Sequence, residues 1–351
     1  MPSDPGLWAA IAVSFLFAAF FVKSRLNYLA IPKLAARPAG ARPPDCMVIV
    51  PARNEEANVA RVVKSFPHDT VIVVDDHSID STAEAARKAG AGVLRAPDLL
   101  GNAIGKSSAC AAGARVLESR WILFADADTW FDPGFLNAAV ACAEASGLSF
   151  LSVYLKSDLP TLAEQTLVPC AEALYFSGVH PRSNPGAAFN GQCVLARREA
   201  YEFVGGHTAV ASSRIEDVKI AALAARHRMK FAIARTSMGH VRYHTDGLWR
   251  GFERNAFRFV MVSPWMGLTI VLAASIAALW LPALGWLLLA RLWAPALVFA
   301  LLPWALLGPW YRNPLRALLA PFGIYGMFFV ILNGFLAAIT GREVVWKGRA
   351  L

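Results

Sequence analysis

Two stretches of this chain do not fit an ordinary water-soluble core. Residues 7–22, LWAAIAVSFLFAAFFV, carry no charge, and from Pro264 to Ile339 only Arg291, Arg312 and Arg316 interrupt an apolar run. About 20 such residues let a helix cross the hydrocarbon core of a bilayer, so the second stretch holds two or three crossings. These segments explain a hydrophobic fraction of 56% and a mean hydropathy of +0.43, both too high for a typical soluble domain.

The first segment has no basic residues ahead of it, and bulky FFVK follows where small residues would mark cleavage, so it reads as a retained anchor over residues 1–24 rather than a signal peptide. Lys23, Arg25, Lys33, Arg37 and Arg42 come next, and the positive-inside tendency then puts the following domain in the cytoplasm of a multi-pass inner or plasma membrane protein. The net charge of +9 has the same origin. Basic residues flank membrane segments, which favours anionic headgroups, and no basic patch interleaved with aromatics suggests nucleic acid. Five cysteines, Cys46, Cys110, Cys142, Cys170 and Cys193, stand far apart without a CxxC pair. Reduced thiols are expected rather than zinc ligands or a disulfide framework.

Residues 25–45, with RPAGARPP, read as a linker, and residues 46–250 as the soluble domain. Within it the pattern alternates: helix 55–65, strand 71–74, helix 81–89, strand 93–95, helix 104–118, strand 121–125. Alternation of this kind predicts an α/β fold with a mostly parallel sheet covered on both faces, and ligands bind such sheets at the carboxyl ends of the strands. Pro51, Asp75 and Asp126 fall at that edge. The first strand-to-helix turn, PARNEE, has no GxGxxG, and no GxxxxGK[ST] occurs, which excludes both the dinucleotide fingerprint and the P-loop.

Carboxylates come in three groups: Asp75 with Asp76, Asp126 with Asp128 in FADADT, and Glu216 with Asp217 in RIEDVK. Two of these groups end predicted parallel strands at one sheet edge, where like charges repel unless something neutralises them. Mg²⁺ or Mn²⁺ with a diphosphate supplies that neutralisation, because these ions prefer carboxylate oxygens and share them with phosphate.

The ordered set PARNE, VVDDHSIDST, GK, FADADT, NGQ, GGH and ED resembles the family 2 glycosyltransferases, which have a GT-A nucleotide-diphospho-sugar transferase fold, over residues 47–259. The likeness points to the membrane-anchored subgroup that glycosylates lipids: carotenoid, hopanoid-associated and ceramide-type enzymes. NGQCVLARREAYEFVGGHTAV and VVWKGR are similar to the carotenoid type. The resemblance implies that Pro51, Arg53 and Glu55 line uridine and ribose, and that Asp75 or Asp76 accepts a hydrogen bond from uracil. Lys106 would face nucleotide phosphate or base, or be a surface lysine. Asp126 would touch ribose or the donor sugar, Asp128 of the DXD motif would bind Mg²⁺ or Mn²⁺, and Asp217 would be the catalytic base. Glu216 would orient the acceptor or serve the helix start. Asn190, Gly191 and Gln192 would hold donor or acceptor hydroxyls, or form a plain turn. His207 reads as structural or substrate-adjacent, and His240 with His244 as groups in reach of diphosphate or metal.

One departure concerns QxxRW, the signature of processive members. Here LWRGFERN offers Trp249, Arg250 and Arg254 in another order, which argues against polymer synthesis and leaves the two arginines either to a diphosphate or to an interfacial helix at residues 251–263. Within residues 264–340, segments near 266–289 and 292–310 would form a hairpin. The third, near 318–339, would either cross and carry the basic tail 341–351 outside, against the positive-inside tendency, or follow a re-entrant or irregular path at Pro321, Gly323 and Gly326 that keeps the tail beside the active site. The expected activity is inverting transfer of one sugar from a nucleotide diphosphate sugar, a UDP-sugar first, to a lipid at the cytoplasmic face. The alternatives are a polyprenyl-phosphate acceptor or a non-catalytic nucleotide-sugar-binding membrane protein.

Overall fold

A computed structural model of the chain describes residues 5–35, 44–99, 104–179, 189–213, 215–242, 248–249, 251–252, 264–340, 345–346 and 349–350. Four apolar runs, β1 (Cys46–Ala52), β2 (Val71–Asp75), β3 (Gly92–Arg95) and β4 (Trp121–Ala125), pair in parallel in the order β3-β2-β1-β4. Strands covered on both faces need apolar residues at successive positions rather than alternation. In β1, Val48 and Val50 enter the core on one face of the sheet and Ile49 the core on the other. The sheet continues through β7 (Cys193–Arg197), β6 (Phe150–Asp158), β8 (Phe231–Arg242) and β5 (Thr129–Phe131). Here β4/β7, β7/β6 and β8/β5 are antiparallel and β6/β8 is parallel, so parallel pairings predominate across the whole sheet.

Helices α2 (Val59–Val63), α3 (Thr82–Lys88) and α5 (Phe135–Ala145) cover one face, and α4 (Gly105–Arg115), α7 (Arg198–Phe203), α8 (Gly206–Ala209) and α9 (Glu216–Arg226) the other. The small residues of α4 allow close approach. A Cβ on Gly113 would lie 2.9 Å from Ile49 Cγ2 and 3.0 Å from Val74 Cγ2.

The expected helix 55–65 is shorter, Val59–Val63. Asn54 takes φ +52°, Asn58 Nδ2 donates to Glu55 Oε2 at 2.8 Å, and Glu55 N–H donates to Thr82 Oγ1 at 2.7 Å, so this backbone is spent tying the β1 and β2 loops together.

Among the described residues, four helical spans are long and apolar enough to cross a membrane: Pro5–Ala30, Pro264–Leu289, Trp293–Trp310 and Pro314–Ala337. The first is α1 (Pro5–Ala30); the second comprises α10 (Pro264–Ala278) and α11 (Trp280–Leu289); the third contains α12 (Trp293–Leu307) and the last α13 (Ala320–Thr340). They gather around α6 (Leu162–Gly178), a helix of the sheet domain. Ser24 Oγ donates to Ala173 O at 2.5 Å, and Asn27 Nδ2 to Phe176 O at 2.9 Å and Val179 O at 2.8 Å. The helix that carries the expected anchor runs on past residue 24 to Ala30, where Ser24 and Asn27 make polar contacts to α6 and the residue after it. Residues 31–35 of the expected linker dock on the sheet, with Leu34 N–H donating to Arg235 O at 2.9 Å.

The irregular backbone expected at Pro321, Gly323 and Gly326 is not found: α13 runs unbroken through all three. Pro321 falls in the first turn, where its missing N–H is no loss. The glycines serve packing, since a Cβ on Gly323 would stand 2.6 Å from Thr166 O and one on Gly326 2.4 Å from Leu167 Cδ2.

Candidate active site

The strand order reverses between β1 and β4, and the residues at the carboxyl ends there converge. Ala52 pairs with Asp75, and Asp76 N–H donates to Ala52 O at 2.8 Å. Arg53 Nη1 donates to Asp76 O at 2.6 Å and His77 O at 3.2 Å, so the guanidinium stitches the two loops through their main chains. Asp75 Oδ1 accepts from Ser78 N at 3.3 Å, and Asp76 and Glu55 are buried.

Beside this edge, Pro51, Lys106, Asp126, Gly191, Glu216 and Asp217 line one cavity, with His207 and Tyr201 in its wall. Lys106, in the first turn of α4, places Nζ 2.8 Å from Asp126 Oδ1 and 3.0 Å from Glu216 Oε1, and donates to Gly191 O at 3.4 Å. Burial opposes its charge, but Asp126 and Glu216 outweigh burial and hold the ammonium well above its ordinary value. Glu216 is the mirror case: burial would raise it, while Lys106 and the main-chain N–H at the start of α9 keep its carboxyl below the usual range.

Asp217, the next residue, behaves oppositely. Its Oδ2 accepts from Gly191 N at 2.7 Å and its Oδ1 from Val218 N at 2.9 Å, yet burial and then the Glu216 charge push it up to about 7. Neighbouring carboxyls whose environments drive them apart can take different parts in proton transfer, the low one as a fixed charge and the high one as an acceptor near neutral pH. Burial also raises Asp126, against the pull of Lys106.

The NGQ loop is the frame of this arrangement. Asn190 N–H donates to Ser152 Oγ at 2.8 Å, Gln192 N–H donates to Asn190 Oδ1 at 3.2 Å, and Asp126 N–H donates to Gln192 O at 3.0 Å. Asn190 thus uses its side-chain oxygen within its own loop. His207 is structural: its Nδ1 shares a 2.9 Å hydrogen bond with Tyr201, its ring packs 4.6 Å from Phe124, and burial brings it down to about 4, a neutral imidazole. His240 stacks on Trp130 and lies 3.5 Å from Asp132, while His244 lies outside the described residues.

Asp128 is not among the residues lining that cavity. It follows β4 in the turn into β5, its carbonyl accepts from Arg242 N at 3.1 Å, and its charge faces Arg61. Among the described residues, no three His, Cys, Asp or Glu side chains come together as metal ligands. Asp126 and Asp128 offer carboxylate oxygens only, the donor set of Mg²⁺ or Mn²⁺, and such ions commonly take one or two carboxylates with phosphate completing the shell. The residues therefore fit an ion that arrives with a diphosphate. Trp249 is exposed, and Arg250 and Arg254 lie outside the described residues.

Ser152 went unrecognised as part of the site's frame, and Gly191, expected to hold hydroxyls or form a turn, instead donates its N–H to Asp217.

Residues 47–205 match glycosyl transferase family 2. The chain is 46% identical over 87 residues to 4,4'-diaponeurosporenoate glycosyltransferase of Staphylococcus haemolyticus, covering 23% of each protein. It is 41% identical over 90 residues to the enzyme of that name from Staphylococcus aureus, covering 24% of each. The matched part thus spans about a quarter of the length of these curated relatives. The mannosyltransferase PcManGT from Pyrobaculum calidifontis, solved with GDP-Man and Mn²⁺, superposes with a TM-score of 0.53 at 18% identity over 95% of this chain and 100% of that one, a likeness of fold. The fold is thus the GT-A-like α/β fold, and residues 47–205 are similar to glycosyl transferase family 2.

Proposed function

We propose that the protein is a membrane-bound inverting glycosyltransferase that moves one sugar from a UDP-sugar to a lipid acceptor at the cytoplasmic face. The observation that carries this reading is the pair Glu216–Asp217: one carboxylate fixed on Lys106, the other raised to about 7 and aimed with Asp126 into a single cavity at the nucleotide edge of the sheet. The names of the staphylococcal relatives support a lipid acceptor, and the solved mannosyltransferase supports a nucleotide sugar with a divalent ion.

Pro51 and the linked β1 and β2 loops, with Arg53, Glu55, Asp75 and Asp76, receive the nucleoside. Asp126 and Asp128 would hold Mg²⁺ or Mn²⁺, which when bound offsets charge on the departing diphosphate. Lys106 supplies a fixed positive charge at the same place. Asp217 takes the proton of the acceptor as its oxygen attacks the anomeric carbon opposite the leaving group, and a single displacement inverts that centre. A base of this kind contributes about 10²–10⁴-fold.

The test is release of UDP by purified protein given UDP-sugars, extracted membrane lipid and Mg²⁺ or Mn²⁺. Asp217→Asn should abolish release and leave UDP binding intact. Release by the variant at the parent's rate would remove the base assignment, and a parent inactive with every donor and lipid would remove the activity.

A further inference from the structure

Where α1 leaves its apolar stretch, three basic residues from separate segments gather around one tyrosine. Arg25 holds its Cζ 5.3 Å from the centre of the Tyr28 ring and 5.6 Å from that of Trp310, and the two rings stand 5.2 Å apart. From the sheet, Arg235 of β8 brings its Cζ to 5.1 Å from the same Tyr28 ring. Lys33 joins them because residues 31–35 dock beside β8. Arg235 N–H donates to Pro32 O at 2.8 Å, Leu34 N–H donates to Arg235 O at 2.9 Å, and Lys33 pairs in parallel with Arg235. Directly paired residues send their side chains to the same face, and like charges placed so destabilise each other.

Among the described residues, no Asp or Glu forms an ion pair with Arg25, Lys33 or Arg235. Glu172 of α6 accepts from Ser157 Oγ at 2.8 Å, and Asp158 of β6 is engaged with Arg242. Arg25 and Arg235 are half-buried and Lys33 is exposed, so an anion can reach all three. The depth of the site says which anion. Trp310 closes the third span and Tyr28 stands beside it, and rings of these types mark the headgroup level of a bilayer. On the α1 surface next to Arg25, Val22, Leu26 and Leu29 are exposed; they lie three before, one after and four after it, a stripe turned toward lipid. Clustered bases just beyond a membrane helix attract anionic headgroups, and here the fold fixes their geometry.

We propose that Arg25, Lys33 and Arg235 form a binding site for the phosphodiester of one anionic phospholipid, separate from the cavity at the sheet edge. The two guanidiniums, each held on the Tyr28 ring, donate to phosphate oxygens. Lys33 adds charge from the solvent side, and the acyl chains lie along Val22, Leu26 and Leu29. The bound headgroup relieves the repulsion between Lys33 and Arg235, so the lipid fastens β8 to α1 at the membrane surface. A zwitterionic lipid offers the same phosphate but brings a cation into a group of three, which makes net charge the basis of selection. This site goes beyond the glycosyltransferase reading and does not rest on it.

The experiment titrates the full chain, stripped of lipid in a neutral detergent, with dioctanoyl phosphatidylglycerol, dioctanoyl phosphatidylcholine and inorganic phosphate. Native mass spectrometry reads binding and thermal unfolding reads stability. Phosphatidylglycerol should bind about tenfold more tightly than phosphatidylcholine and raise the melting temperature, as a ligand of the folded state does. Arg25→Gln and Arg235→Gln should each weaken phosphatidylglycerol binding about tenfold, the scale of one hydrogen bond to a charged group. Lys33→Gln, at an exposed position, should melt no lower than the parent without lipid, because a like-charge pair is gone, and should lose most of the rise that lipid brings. Lys23, two residues before Arg25 and so on the opposite face of α1, is the control: Lys23→Gln should change binding by less than about twofold, as a screened charge outside the site. Equal binding of the two lipids, or unchanged phosphatidylglycerol binding in Arg25→Gln and Arg235→Gln, overturns the inference. A loss in Lys23→Gln as large as in the arginine variants also overturns it, since the attraction would then be diffuse. Inorganic phosphate that stabilises as much as the lipid at equal concentration removes the lipid as occupant. UDP release enters none of these readouts, so a chain inactive with every donor leaves the lipid site standing.

Discussion

The Gly191 N–H donates to Asp217 Oδ2 at 2.7 Å, and a Cβ on Gly191 would stand 2.8 Å from that same oxygen. The hydrogen bond and the missing side chain are one device: the loop gives the carboxylate a donor by coming closer than any other residue type allows. Gly191→Ala should therefore displace Asp217 and lower kcat by about 10²-fold, the scale of a misplacement near 1 Å at a reacting group. UDP affinity should change little. Steady-state kinetics with a UDP titration check both, and a kcat within twofold of the parent would show that the carboxylate tolerates the shift.

Asp217 should also leave its signature in pH dependence. With its carboxyl raised from an ordinary 3.8 to about 7, the base is protonated on the acid side, and kcat/KM should fall as pH drops through about 7. Stability runs the other way. The folded protein holds this proton more tightly than the unfolded chain between about 4 and 7, so the group costs stability increasingly as pH rises through that window. Asp217→Asn should melt higher than the parent at pH 8, with the difference vanishing toward pH 4. Thermal unfolding at the two pH values decides it.

Lys106 neutralises two carboxylates that reach it from different elements, Asp126 at the end of β4 and Glu216 at the start of α9. Lys106→Met leaves them unpaired around one cavity and should destabilise the domain by about 3 kcal/mol, the scale of breaking a buried ion pair from one side. Adding Glu216→Gln should recover a large part of that loss, since the remaining charge is single. A double-mutant cycle on thermal stability measures the coupling, and strictly additive effects would separate the two residues energetically.

If Asp128 and Asp126 hold Mg²⁺ or Mn²⁺ together with the diphosphate, UDP release should stop on chelation and return on adding either ion. Asp128→Asn should raise the metal concentration needed for half-maximal rate by about tenfold or more, as expected where one or two carboxylates carry the protein's share of the ligands. A metal titration at saturating donor reads this directly. An unshifted midpoint would assign the ion to other oxygens.

What could be read from the residues, and what could not, follows from how far each signal travels along the chain. The apolar runs of β1, β2 and β4 ending on Pro51, Asp75 and Asp126 are local patterns, and the sheet edge they define is the one observed. The family likeness carried Asp217 and Lys106 to one cavity. The bridge from Lys106 to Glu216 was not legible, because the two lie on α4 and α9 and meet only where both helices cover one face of the sheet. The contacts of Ser24 and Asn27 were hidden for a related reason: the carbonyls they bind, on α6 and just after it, come to α1 only in the fold. Gly323 and Gly326 likewise suggest irregular backbone in isolation, and only the presence of Thr166 and Leu167 against them turns that signal into close helix packing.

The unbroken course of α13 bears on which side of the membrane the chain finishes. Tyr311 Oη donates to Thr166 O at 3.2 Å and Arg312 to Ser157 O, so the link between the third and last spans touches the sheet domain. The last span begins there, and its residues rise about 1.5 Å each along its own axis. With Pro264–Leu289, Trp293–Trp310 and Pro314–Ala337 each crossing once, Leu351 should lie across the membrane from the catalytic domain, although Arg342, Lys347 and Arg349 run against the positive-inside tendency. A reporter active only outside the cytoplasm, fused after Leu351, should be active, and the same reporter inserted after Arg95 should not. A silent fusion at Leu351 in a protein that still releases UDP would return the last segment to a re-entrant path. Gly323→Leu supplies the structural arm, since a side chain there must displace Thr166 O or part α13 from α6, and it should lower the melting temperature in detergent even where the reporter's sidedness is kept.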